Sequence, residues 1–333
     1  MTALGNWTFT PFPPYPPTLF PNTGFWNATS IVHNLTYQIG ISWPFQWGTS
    51  PTTIEVTNKT ALTMYVLDGN AMGMTAAEGF KRRQPVSFGQ PDSVVVSIGY
   101  PLTDQVYDFT NRFIDYKPPL PTPENQQGTR SGADAFINFI NGALRPFVRE
   151  TVFPNVEFTR DAVFGHSFGG LFVVYALIAY PEMFDTYLSA SPALEVQNAS
   201  ILDMVTARFG VADTSPPASV SIMSRTPPYN NGNGGFKACS NATADMHKPA
   251  LFISWGSQEQ FPTRRRTETQ QAFQTRKDYF LPLRMTDHCH ELYDRIKASG
   301  KTRDVVLKEY AGQDHAGVAA TAITDGIDYF VDW

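Results

Sequence analysis

The sequence predicts an α/β fold, a mostly parallel sheet of about eight strands with helices on both faces. Three observations predict it. Short apolar runs rich in β-branched and aromatic residues recur along the chain, each bounded by Gly, Pro, Asn or Asp. The runs are apolar throughout rather than alternating, as strands covered on both sides are. Segments with helical patterning lie between them, so strand and helix alternate as a covered parallel sheet requires.

Taken in order, residues 1–30 read as a Pro/aromatic-rich arm, packed on a single domain of residues 31–333. The run Pro11-Phe12-Pro13-Pro14-Tyr15-Pro16-Pro17 excludes a helix or a central strand there, because proline lacks the N–H that either would use. Strands are predicted at 34–41 and 53–56, forming an antiparallel edge. Further strands follow at 61–67, 93–98, 161–164, 186–189, 250–255 and 304–309. A helix is predicted over 132–148, where Ala133, Phe136, Ile137, Ile140, Leu144 and Phe147 make a 3.6-residue stripe. Residues 171–179 are apolar all round, as in a fully buried helix. Segments 264–276 and 292–298 are more polar helices. A long insertion spans about 196–248, and its centre, Pro227 to Gly235, is rich in Asn and Gly and reads as loop. It is expected to be a lid, a pocket wall or a plain surface excursion.

Composition excludes several classes. With 42% hydrophobic residues the chain has ample material for a core. The net charge of −5 is small for this size and comes with no long basic or acidic block, which argues against nucleic acid as a partner. No apolar run approaches the roughly 18 residues of a membrane span, so no membrane partner is expected. The first residues carry neither the basic region nor the apolar core of a secretory signal. Cys239 and Cys289 make no disulfide framework, and reduced thiols are expected. The six N-x-[ST] sequons, at Asn6, Asn27, Asn34, Asn58, Asn198 and Asn241, matter only in a secreted protein. A cytoplasmic location is expected.

The chemistry is carried by Gly165-His166-Ser167-Phe168-Gly169-Gly170, between an apolar strand and an apolar helix. That setting is a nucleophile elbow, which holds a serine hydroxyl out at the top of a sheet. Gly165 and Gly169 are expected where the turn crowds its own backbone, so that a Cβ at either would collide. A serine becomes a nucleophile only when a base takes its proton. Among the six histidines, His315 follows the last predicted strand on a small-residue loop, where this fold places its base. His166 is expected to point away from the site. His288 and His290 lie two apart on a helix and do not share a face. The acid should follow the preceding strand, and Glu259 is the carboxylate within reach of that strand end. It would accept the Nδ1–H of His315; a plain Ser–His dyad is the rival arrangement, and Asp314 would have to fold back on the ring. The oxyanion hole is expected from the amide of Phe168 and an amide of Asp68-Gly69-Asn70, either Gly69 or Asn70. The order nucleophile, acid, histidine is that of α/β-hydrolases. Tyr100, Tyr116 and Trp255, at strand ends, are expected either to wall a pocket or simply to pack. Arg264-Arg265-Arg266 would attract an anionic ligand or form the solvated start of a helix.

In combination these segments resemble the esterase D-type branch of the α/β-hydrolases, and within it the IroE-like siderophore esterases. The matching pieces include Val66-Leu67-Asp68-Gly69-Asn70, Val96-Ser97-Ile98-Gly99-Tyr100, Arg112-Phe113-Ile114-Asp115-Tyr116, Gly165–Gly170, Ser189-Ala190-Ser191-Pro192, Gly256–Gln260 and Gly312–His315. The resemblance implies a serine esterase that opens the ester bonds of a trilactone siderophore, in its ferric form or free, and needs no cofactor or metal of its own. It implies Ser167 as nucleophile, His315 as base and Glu259 as acid, with Arg112, Asp115 and Tyr116 at the substrate mouth. The arm and the Asn/Gly loop look more like a fungal member. Fungal members of this type are similar to esterases that cleave triacetylfusarinine C, a cyclic tri-ester hydroxamate, whereas bacterial members act on catecholates such as enterobactin. The alternatives are an esterase of the same branch acting on acyl-thiol, feruloyl or acetyl-sugar esters, and a binding protein on an inactive hydrolase fold. Oligomeric state is left open.

Overall fold

Each apolar run folds as a strand because its side chains find cover on both faces. The computed structural model describes residues 2–11, 22–32, 34–48, 59–101, 104–120, 131–210 and 248–332. Its strands are β1 (Thr2–Leu4), β2 (Trp7–Pro11), β3 (Thr23–Ser30), β4 (Thr36–Ser42), β5 (Lys59–Leu67), β6 (Ser93–Gly99), β7 (Val156–His166), β8 (Thr186–Ala190), β9 (Ala250–Gly256) and β10 (Asp304–Tyr310). They form one ten-stranded sheet in the order β1-β2-β3-β4-β6-β5-β7-β8-β9-β10. From β6 to β10 all pairings are parallel, while β1 to β4 and the β4–β6 pairing are antiparallel.

The mostly parallel sheet is as expected, with ten strands among the described residues where about eight were predicted. Within the expected arm, residues 2–4, 7–11 and 23–30 add three antiparallel strands to the sheet. The proline argument reached too far: residues 12–17 lie between β2 and β3, outside the described residues, and the flanking segments are free to pair. β3 shows the pattern of such a strand, with Trp26, Ala28 and Ser30 buried on alternate positions. The strand expected at 53–56 lies outside the described residues, as do 211–247 of the expected insertion and its Asn/Gly loop.

The helices are α1 (Gly69–Arg83), α2 (Asn111–Asp115), α3 (Ala133–Phe139), α4 (Phe168–Ala179), α5 (Val196–Phe209), α6 (Ser257–Gln260), α7 (Gln270–Phe280), α8 (Met285–Lys297) and α9 (Val318–Val331). α3 runs on through π-helical turns at Ile140–Leu144 and Phe147–Val152, and the whole predicted stripe from Ala133 to Phe147 is buried. α7 starts later than predicted because Thr269 caps it, accepting the Ala272 N–H at 3.1 Å. α1 and α5 escape sequence reading. Three glycines interrupt the periodicity of α1. The first turn of α5 is not right-handed, with φ of 55°, 55° and 57° at Gln197, Asn198 and Ala199.

Strand alternation sorts the apolar residues into two cores. Leu62, Met64 and Val66 of β5 face one side, packed with Met72, Ala76 and Phe80 of α1 and Ile323, Ile327 and Phe330 of α9. Ala61, Tyr65 and Leu67 face the other, with Phe136 and Phe139 of α3, Phe172 of α4, Val205 of α5 and Leu292 of α8. The parallel strands all point their carboxyl ends at one rim, where ligands bind in open α/β sheets. Asp68, Ser167, Ser191, Glu259 and His315 follow β5, β7, β8, β9 and β10 in turn.

Candidate active site

Between β7 and α4 the chain reverses on a single residue. Ser167 has φ 61° and ψ −117°, a conformation that costs a non-glycine residue about 1–3 kcal/mol and persists only where neighbours enforce it. The neighbours are specific. Ser167 N–H donates to Ala190 O at 3.0 Å, and its own carbonyl accepts from Leu171 N–H at 3.0 Å and Ala193 N–H at 3.1 Å. A Cβ on Gly165 would stand 2.2 Å from Gly169 O, so this turn closes only over glycine. The second crowded position is not Gly169, as expected, but Gly170. A Cβ on Gly169 would make ordinary contact at 3.5 Å, whereas one on Gly170 would meet Ala190 O at 2.8 Å.

His315 stands on the loop between β10 and α9. Its Nδ1 lies 2.5 Å from Glu259 Oε2. The other oxygen, Oε1, accepts from the Gly256 N–H and from Ser191 Oγ, each at 2.6 Å. Glu259 is itself buried on the four-residue helix α6. Asp314 turns away from the ring, taking Arg265 Nη2 at 2.6 Å and the Gly317 N–H at 3.0 Å. Arg265 is thus occupied by a carboxylate, and the arginine run precedes α7 rather than starting it. His166 does not point away. Its buried ring lies 4.5 Å, centre to centre, from that of His315. Burial, reinforced by His315 nearby, holds its pKa well below the usual histidine value, so it is a neutral wall against the His315 ring. Glu195 is a further neighbour. One of its oxygens is buried without a hydrogen-bond partner, and burial raises its pKa.

Gly69 and Asn70 open α1, so their amides belong to the first turn that a helix leaves without internal acceptors, as Phe168 does in α4. The Asn70 side chain is fastened to the backbone of Tyr100, donating to its carbonyl at 2.8 Å and accepting its N–H at 3.2 Å. Asp68, just ahead, has a left-handed φ of 51°. Its N–H donates to Tyr116 Oη at 3.1 Å, and its carboxylate takes Arg112 Nε and Nη2, both at 2.8 Å. Burial raises the Asp68 pKa despite the opposing pull of Arg112.

Arg112, Asp115 and Tyr116, expected at the substrate mouth, are buried, and Tyr100 and Trp255 are buried too and take the packing role that was one of their two expectations. Arg112 is spent on Asp68 and enclosed by the rings of Tyr107, Phe109, Tyr116 and Phe168 at 5.4–5.9 Å. Asp115 accepts from Tyr37 Oη at 2.9 Å and Tyr100 Oη at 3.0 Å. Trp255 packs edge-on against His290 at 5.3 Å. These five hold the rim from below. Phe109 and Phe113 are the exposed ones, 63% and 42% accessible, and Phe113 stands edge-on to Phe168, 5.0 Å away, beside the elbow. No sequence pattern marked them, because an exposed aromatic in a short helical turn looks like any other.

Comparisons with known proteins point the same way. The family model described as "Putative esterase" matches residues 57–295. A "Siderophore enterobactin esterase" of Emericella nidulans is 38% identical over 299 residues, covering 87% of this chain and 88% of that protein. A "Siderophore triacetylfusarinine C esterase" of Aspergillus fumigatus is 31% identical over 303 residues, 89% of each. Among solved structures, "Siderophore hydrolase EstA from Aspergillus nidulans" superposes with a TM-score of 0.78 at 34% identity, covering 96% of this chain and 98% of that one.

Proposed function

The chain belongs to the Putative esterase family, and on that premise we propose that it is a serine esterase hydrolysing the ester bonds of a trilactone siderophore. The observation that carries the reading is the strained Ser167 turn, whose preceding residue His166 lays its ring 4.5 Å from that of His315, the histidine held by Glu259. In the proposed mechanism His315 takes the Ser167 proton as Oγ attacks the ester carbonyl. Glu259 holds the Nδ1–H and balances the imidazolium that forms. The amides of Phe168 and of Gly69 or Asn70 receive the oxyanion, in first-turn positions that also carry the positive end of a helix dipole. His315 then returns the proton to the leaving alkoxide, and water releases the acyl group by the same steps reversed. The chain's own groups suffice for this chemistry.

Relatives named for enterobactin and for triacetylfusarinine C support a trilactone as substrate. We take triacetylfusarinine C as the first candidate and the ferric complex as the form presented. Opening a macrocycle lowers the effective concentration of its remaining chelating arms, so hydrolysis loosens iron and has a use beyond degradation. A fungal, cytoplasmic setting belongs to the same proposal, supported by fungal relatives and by the free, buried thiol of Cys289; no helix among the described residues is long and apolar enough to cross a membrane. The test is incubation of the purified protein, and of Ser167→Ala, with ferric triacetylfusarinine C and ferric enterobactin, with products read by mass spectrometry. Linear products from the wild type alone are expected. No cleavage of either siderophore, beside rapid hydrolysis of a simple aryl ester, would move the substrate to another ester class.

A further inference from the structure

The buried end of Glu259 is held by a residue that no role has yet claimed. Ser191 is fully buried, with φ 42°, a left-handed conformation that serine rarely adopts. Its N–H donates to Ser254 O at 2.7 Å, which ties it to the neighbouring strand β9. Its hydroxyl donates to Glu259 Oε1 at 2.6 Å. The residues on either side grip the elbow: Ala190 O takes the Ser167 N–H, and the Ala193 N–H reaches Ser167 O. One short segment after β8 thus holds the backbone of the nucleophile and the carboxylate of the acid.

We propose that Ser191 is the positioning residue of this site, fixing the Glu259 carboxylate so that Oε2 stays on His315 Nδ1. A carboxylate accepts at either oxygen and turns about its terminal bond. With Oε1 held by the Ser191 hydroxyl on one side and the Gly256 N–H on the other, only Oε2 is left to the histidine. Charge-assisted hydrogen bonds of this kind are short and strong. Losing one here leaves Oε1 with a single donor and lets the carboxylate turn. The left-handed backbone is the cost of placing that hydroxyl between strands β8 and β9.

The inference rests on the proposed Ser167–His315–Glu259 reading, and a double-mutant cycle separates the two. Ser191→Ala and Ser191→Gly are measured for kcat and KM on an activated aryl ester, in the wild-type and Glu259→Ala backgrounds. Glycine accepts φ 42° without strain, so that variant keeps the fold while removing the hydroxyl. In the wild-type background both variants are expected to lose roughly 10- to 100-fold in kcat at unchanged KM, the size of a lost hydrogen bond to a charged group. In the Glu259→Ala background they are expected to lose nothing more, because the partner is gone. Wild-type kcat in Ser191→Gly, or an equal loss in both backgrounds, overturns the proposal. An unchanged rate in Glu259→Ala itself would instead overturn the triad.

Discussion

Replacing Arg112 by methionine removes the guanidinium that meets Asp68 just ahead of α1. Both residues of this pair are 3% accessible, and two contacts of 2.8 Å join them. Methionine keeps the packing among the four surrounding rings, so the change isolates the charge. Breaking a buried ion pair from one side costs about 3–5 kcal/mol, because the remaining charge is left uncompensated. Burial already holds the Asp68 pKa above its ordinary value with Arg112 in place; without it the carboxyl rises further and takes up a proton. A folded-state pKa above the unfolded one means that the folded protein binds the extra proton. Stability is therefore present below the unfolded carboxylate value of about 3.9 and is lost as pH rises through the raised one. Urea unfolding followed by circular dichroism at pH 5 and pH 8 reads this directly. Arg112→Met should be less stable than wild type at both, with the larger deficit at pH 8, and kcat on an aryl ester should fall as the loop bearing Gly69 and Asn70 loosens. Adding Asp68→Asn should recover part of the stability. A variant as stable as wild type at both pH values, or one whose deficit shrinks toward pH 8, would refute the reasoning.

Three further outcomes follow from the same geometry. Glu259→Gln should lower kcat by roughly 10⁴-fold, since an amide favours the wrong tautomer of His315; an unchanged rate would leave a Ser–His dyad. Gly165→Ala places a Cβ 2.2 Å from a backbone oxygen, and its yield of folded protein and melting temperature should drop sharply. Phe113→Ala should raise KM for the siderophore about 3- to 10-fold, the worth of one aromatic contact, while leaving kcat on a small aryl ester unchanged; equal KM values would take Phe113 out of substrate binding.

What could be read from the chain alone was what local order carries. Most of the strands β5 to β10 announce themselves as short apolar or β-branched runs bounded by turn residues, with β10 marked only by Val305-Val306-Leu307. Ser167, Glu259 and His315 each follow such a strand, so their nearness at the rim comes from counting strands. The rest depends on partners distant in sequence. β1, β2 and β3 exist through pairing in series, β3 on β4, β2 on β3 and β1 on β2, which the proline tract between β2 and β3 concealed. α1 carries too many glycines to show a helical period. Gly170 rather than Gly169 is crowded because Ala190, twenty residues on, approaches it. The resemblance put Arg112 at the substrate mouth, and only the fold reveals Asp68 waiting for it. His166 turns toward His315 for a similar reason, since nothing local tells a turn residue which way its ring will lie.

The central claim joins one serine to one class of substrate, and covalent titration tests both at once. The protein is labelled with increasing amounts of a fluorophosphonate, the label is located by peptide mass mapping, and cleavage of the ferric trilactone is measured on each sample. The account predicts a single adduct on Ser167 and siderophore cleavage that falls in proportion to its occupancy. Label at another residue, or full cleavage by protein fully labelled at Ser167, would contradict it.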